Sequence, residues 1–209
     1  MRIAMLSHLA SRAAPTGAER SLALLALGLS AKGHDVAVAT PGQWALREEL
    51  EAGGVSVTAV PVRQCWLVQY GPQPLWRQAV RGLRYAWPDP GVRELRRWLT
   101  DLEPDAVHVN CLCNLRGAAA ARSLGLPVVW HLREILPPGP RRRWFGGRLR
   151  TGATRIVAVS EAVAAWVREE GLGDRVEVVY NGVDRPTVAF DRMALRKRFG
   201  LPPDAVVVG

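Results

Sequence analysis

Four short stretches hold the residue types that phosphate and proton chemistry need. Thr16-Gly17-Ala18-Glu19 opens a long helical pattern. Thr16 and Glu19 have the spacing of a capping box, in which each side chain satisfies a backbone N–H of the helix start. Gly17 leaves N–H groups uncovered at a helix N-terminus, where phosphate oxygens are favoured. In Trp130-His131-Leu132-Arg133-Glu134, His131 and Arg133 alternate, so they share one side of a strand. A histidine at the carboxyl end of a strand can bond a ligand hydroxyl or move a proton; the alternative is a structural hydrogen-bonding role. Ser160, directly before Glu161, reads as a helix N-cap. Asn181-Gly182-Val183-Asp184 is a turn signal whose plain reading is a chain reversal.

Other patterns are missing or incomplete. The chain has no G-x-G-x-x-G, and its second strand ends in Thr40-Pro41 without an acid for a ribose, which argues against a nicotinamide dehydrogenase. It has no P-loop. Cys111-Leu112-Cys113 near His108 falls short of a four-ligand zinc set, so no metal is expected. Cys65, Cys111 and Cys113 are an odd trio, too few for a disulfide framework, and suggest a reducing compartment.

The elements that position these residues alternate from end to end. Strands read at Arg2–Ser7, Val36–Thr40, Val55–Val60, Ala106–Asn110, Val128–Leu132, Arg155–Val159 and Val176–Tyr180. Helical patterns lie at Ala18–Lys32, Ala45–Ala52, Leu115–Leu124, Arg143–Thr151 and Glu161–Glu170. The strands are continuous apolar runs, so both of their faces are covered. Strand–helix–strand repetition implies right-handed crossovers and a Rossmann-like, doubly wound parallel α/β sheet. Ligands of such a sheet bind beyond the carboxyl ends of its strands, which is where the stretches above fall.

Pro61 to Glu103 interrupts the alternation with two helices, Leu75–Trp87 and Val92–Leu102. In the first, Trp76, Ala79, Val80, Leu83 and Trp87 share one face, and Arg77, Arg81 and Arg84 another. That pattern suits an apolar stripe packed on the domain, and it also suits a helix lying in a membrane interface. A second basic stretch, Arg141-Arg142-Arg143-Trp144-Phe145, follows the Pro137-Pro138-Gly139-Pro140 loop. From Arg133 to Arg155 there are seven arginines and one acid, Glu134. They could be a solvated loop, or could grip an anionic acceptor or a membrane surface.

Composition sets the frame. At 209 residues the chain is one large domain or a little more, and 48% hydrophobic with 22% charged residues excludes global disorder. The net charge of +9 is nearly all arginine, since Lys32 and Lys197 are the only lysines. It favours anionic partners. Nucleic acid is not expected, because the arginines lack a recognised binding module. No apolar run approaches the roughly 20 residues of a membrane span, and the first residues are too soon polar for a signal peptide. A cytoplasmic protein, peripheral to the inner face of the membrane at most, is expected.

In order along the chain, six motifs resemble the N-terminal part of the retaining GT-B glycosyltransferases of the large family four. They are Thr16 to Leu22; Gly33-His34-Asp35-Val36; Pro104 to Val109; His131 with Glu134; Val157-Ala158-Val159-Ser160-Glu161; and Val179 to Asp184. Arg192 to Pro202 resembles the segment leading into a second domain. The resemblance implies the N-terminal half of a GT-B fold, with an acceptor-side domain over 1–188 and a linker to a donor-binding domain over 189–209. It implies a hexosyltransferase-type reaction with a nucleotide-sugar co-substrate and without a metal or other cofactor. His131 would contact the sugar at the reaction centre. Gly17 and Asn181 would lie near the donor phosphates and the hinge, and Thr16, Arg133 and Glu134 along the cleft. One of the family's usual two glycines is Thr16 here. The donor domain's glutamate pair, spaced by seven residues, is matched only by Glu161 and Glu169, which sit on the wrong element. The chain is therefore expected to be incomplete for catalysis alone. The alternatives are a non-catalytic acceptor- or membrane-binding subunit that recruits a separate C-terminal-domain chain, and a Rossmann-like binding protein for a phosphorylated metabolite.

Overall fold

A computed structural model describes residues 1–65, 74–182 and 191–207, apart from the side chains of Leu75, Gln78, Ala79 and Arg84. Seven strands form one parallel sheet in the order β3-β2-β1-β4-β5-β6-β7. They are β1 (Arg2–Leu6), β2 (Asp35–Thr40), β3 (Ser56–Ala59), β4 (Ala106–Asn110), β5 (Val128–Leu132), β6 (Arg155–Ala158) and β7 (Val176–Val178). The helices are α1 (Gly17–Ala31), α2 (Arg47–Ala52), α3 (Leu75–Ala86), α4 (Pro90–Leu102), α5 (Leu115–Ser123), α6 (Pro140–Gly152), α7 (Glu161–Glu169) and α8 (Arg192–Arg198).

The strand order reverses between β1 and β4. Right-handed crossovers then put α1 and α2 on one face and the later helices on the other. The core divides accordingly. Met5, Val36 and Val38 pack with Leu22, Ala26 and Leu50 on the first side. Leu6, Val109 and Trp130 pack with Leu99, Phe145, Leu149 and Trp166 on the second.

Four expectations are corrected in detail. The helix expected from Arg143 starts at Pro140 and takes in Arg141 and Arg142, because Pro140 has its φ preset for the first helical position. The seventh strand ends at Val178, and Val179 and Tyr180 are exposed beyond it. The second helix starts at Arg47, since Trp44 and Leu46 are buried in the turn before it. The apolar stripe of α3 does not pack on the domain; Trp76, Val80, Leu83 and Trp87 are all exposed.

Local chemistry explains the entry to α4. Trp87 precedes Pro88, which disfavours continued helix. Asp89 then caps the Gly91 N–H, with Pro90 at the first helical position. Gly91 must be glycine, because a Cβ there would sit 2.3 Å from the Pro61 carbonyl oxygen. The expected boundary near 188 and residues Val183 and Asp184 lie outside the described residues, as do Val208 and Gly209. Val206 and Val207 are exposed and join no strand.

Candidate functional site

The reversal between β1 and β4 opens a crevice at the carboxyl edge of the sheet, where α1 begins. The capping box at its start is present: Glu19 N–H donates to Thr16 Oγ1 at 3.4 Å, and Thr16 N–H donates to Glu19 Oε2 at 2.8 Å. Glu19 does more than cap. Its buried carboxylate also accepts from the Ser11 amide at 2.7 Å and from Trp44 Nε1 at 2.8 Å, which pins the loop after β1. Burial alone would raise its pKa, but the amides and hydroxyls of Ser11 and Thr16 hold it below the ordinary carboxylate range. Gly17 stands exposed at the helix mouth, and a Cβ there would meet nothing within 4 Å. The fold itself does not require glycine at that position, so any demand for it comes from a ligand. The amides of Gly17 and Ala18 belong to the first turn, where no helical acceptor exists.

Arg133 joins the elements of the crevice. From the end of β5 its Nε donates to Asn110 Oδ1 at 3.1 Å, at the end of β4. Nη1 donates to Asn181 Oδ1 at 2.8 Å, and Nη2 to Ser21 Oγ on α1 at 3.0 Å. Ser21 in turn donates to Asn181 Oδ1 at 3.0 Å. All these acceptors are neutral, and among the described residues Arg133 forms no ion pair within 4 Å. Burial lowers its pKa, and an arginine remains charged in spite of that. The crevice thus holds a cation whose charge is not neutralised by direct contact with a carboxylate.

Below Arg133 lies a buried imidazole pair. His108 Nε2 and His131 Nδ1 are 3.1 Å apart, with the rings edge to face. Burial pushes His108 down to about 3 and His131 down to about 4, so both are neutral at pH 7. One proton is shared along that contact, leaving His108 Nδ1 and His131 Nε2 buried without a protein partner. His8, just past β1, lies 3.3 Å from Asn110 Nδ2 and is lowered by burial to about 4. Asn110 is fully buried and also donates to the Ala18 carbonyl at 3.3 Å.

The structure therefore brings Arg133, Asn181, Gly17, Thr16 and His131 to one edge. Glu134 is turned elsewhere. Its carboxylate accepts from the Leu112 amide at 3.0 Å and the Arg133 amide at 3.0 Å, and its carbonyl accepts from Trp166 Nε1 at 2.9 Å. It braces the β4–α5 turn, where Cys111 is left-handed with φ of 65°. Burial raises the Glu134 pKa against those bonds. The pair Glu161 and Glu169 is spent on ion pairs with Arg168 at 2.7 Å and Arg142 at 2.9 Å. The sequence reading missed His8, Ser21 and Asn110 as site residues. The signal for His8 and Asn110 was available: both are polar residues at the carboxyl ends of strands, like His131. No group of three or more metal-ligating side chains exists among the described residues.

A seven-stranded, doubly wound parallel sheet flanked by helices is the fold of one half of a GT-B glycosyltransferase, and solved structures share that fold. Anabaena HepE, solved with UDP-glucose, superposes with a TM-score of 0.62 at 23% identity, over 96% of this chain and 50% of HepE. The lipopolysaccharide outer core galactosyltransferase WaaB gives 0.56 at 14% identity, over 90% and 48%. Acinetobacter baumannii MurG gives 0.54 at 15% identity, over 88% and 46%. The chain thus spans about half the length of the solved structures it matches. No curated protein matches in sequence. Residues 15–185 match Glycosyltransferase Family 4, and the chain belongs to that family.

Proposed function

We propose that this chain forms the acceptor-side half of a retaining glycosyltransferase. The carrying observation is Arg133, a part-buried guanidinium oriented by Asn110, Ser21 and Asn181 with no carboxylate in contact, beside the open first turn of α1. A diphosphate suits that pair of positive features, and HepE, with the same fold, binds UDP-glucose. The domain boundary falls near residue 188, and the donor-binding half lies outside these residues, in the same chain or a separate one.

In this reading the amides at Gly17 and the Arg133 guanidinium stabilise charge on the leaving diphosphate. The anomeric carbon–phosphate oxygen bond breaks as the bond to the acceptor oxygen forms on the same face. The acceptor proton passes to a diphosphate oxygen. His131, neutral at working pH, lies at the strand end beside the sugar, and its tautomer is set by His108. Thr16 fixes the helix mouth and Glu134 the strand end. No metal or other cofactor is needed for this charge balance.

The test is sugar transfer from nucleotide-sugars. The 209-residue chain alone is expected to show none, and addition of a donor-binding half to restore it. Transfer by the isolated chain, abolished by His131→Ala, overturns the division of labour. Tight binding of a phosphorylated metabolite by the chain alone, with no transfer in any combination, replaces the transferase reading with a binding protein.

A further inference from the structure

Helix α3 is built inside out. At 100° per residue, positions 76, 80, 83 and 87 fall within about 60° of one another on the helix wheel. Their side chains are exposed by 64% (Trp76), 49% (Val80), 72% (Leu83) and 68% (Trp87). Tyr85, about half a turn of the wheel away, faces the body of the domain instead. The Arg116 guanidinium of α5 lies 4.4 Å over the Tyr85 ring, donates to the Tyr85 and Trp87 carbonyl oxygens, and pairs with Asp89 at 3.1 Å. The helix is thus tied down by its polar backbone end and by the side opposite its apolar stripe. The stripe is left facing outward by construction.

Charge identifies what covers it. Arg77 and Arg81 flank the stripe, with the Arg77 guanidinium 5.2 Å from the Trp76 ring. No Asp or Glu lies between Arg63 and Asp89 in the sequence. A second copy seated on this face would set arginines against arginines. An anionic surface is matched in charge, and one with an apolar interior is matched in the stripe as well. Tryptophans beside arginines suit the headgroup boundary of a bilayer, where each side chain has a wet end and an apolar end.

We infer that α3 is a membrane-docking helix, which seats Trp76, Val80, Leu83 and Trp87 in the interface of a bilayer rich in anionic lipid. The chain needs no spanning segment for this, and no helix among the described residues is long and apolar enough to cross a membrane. The inference is independent of the transferase reading.

Co-sedimentation of the 209-residue chain with vesicles tests it. Vesicles of phosphatidylglycerol and phosphatidylcholine should bind the chain, with a blue shift of tryptophan fluorescence, and vesicles of phosphatidylcholine alone should bind it on the order of tenfold more weakly. Trp76→Ser with Leu83→Ser and Trp87→Ser should weaken binding by on the order of a hundredfold. Arg77→Glu with Arg81→Glu keeps the stripe and should remove the preference for anionic lipid. Unchanged far-UV circular dichroism shows that each variant is folded. Failure to bind phosphatidylglycerol vesicles overturns the inference, as does equal binding by the folded triple variant. Concentration-dependent dimerisation abolished by the triple variant overturns it in favour of a second copy.

Discussion

The carboxyl edge of the sheet and the outer side of α3 invert the ordinary rule of burial in opposite directions. At the edge, His8, His108, Asn110 and His131 are polar and buried. On α3, Trp76, Leu83 and Trp87 are apolar and exposed. Burying a polar group is costly unless it is hydrogen-bonded, and exposing a large apolar patch wastes its burial. The edge offsets most of its cost internally, through the bonds among Asn110, Arg133, Ser21 and Asn181, and leaves two imidazole nitrogens over. Among the described residues the α3 stripe has no such internal compensation. Orphaned polar atoms in a crevice suit a polar ligand, and an uncovered apolar stripe suits an apolar medium. The two regions therefore take different partners although one sheet carries both.

The contrast can be broken most strongly with acid. The folded pKa values of His8, His108 and His131 are depressed to about 4, about 3 and about 4. Their contribution to stability is complete above the unfolded value near 6.5, and is lost as pH falls toward the folded values, because the unfolded chain takes up protons first. Urea unfolding should show a loss of about 3 kcal/mol or more between pH 6.5 and 4.5. His108→Gln should flatten that slope; an unchanged slope would show that the imidazole pair is not buried neutral. Next in size, Asn110→Ala removes the acceptor of Arg133 and the donor to Ala18, and should cost about 2 kcal/mol at pH 7 by the same measurement. Gly17→Ala should leave stability within about 0.5 kcal/mol, because its Cβ enters open space, yet should lower transfer in the reassembled enzyme. If transfer is unaffected, the helix mouth is not a phosphate site. Smallest of all, the triple serine variant of α3 should leave thermal stability in solution nearly unchanged, as expected of side chains that are mostly exposed. A large drop would mean that the stripe is packed on something in the free protein.

Strand and helix positions were legible because they rest on local patterns. The Thr16–Glu19 capping box is a contact between residues three apart, and it is present as read. The continuous apolar runs at Val107, Val128 and Ile156 announced a sheet covered on both faces, and those residues are buried. His131 and Arg133 were recognisable as neighbours on one side of a strand. Their separate fates were not. Arg133 reaches Ser21 across 112 residues, and Asn110 reaches His8 across 102. No periodicity reports such pairings. Glu134 read as a cleft residue, but the amides of the β4–α5 turn claim it.

The sequence by itself determined the class of fold, the order of its elements and the family, since each follows from hydrophobic period, caps and motif order. It also determined that α3 has two unlike faces. Only the tertiary structure decided which of those faces meets the domain. A helix wheel is symmetric with respect to that choice, and the anchor that settles it, Arg116 on Tyr85 and Asp89, comes from another element. The same holds at the crevice. The residue types were visible in the chain, but which cation is left without a carboxylate depends on where every acid in the folded molecule lies.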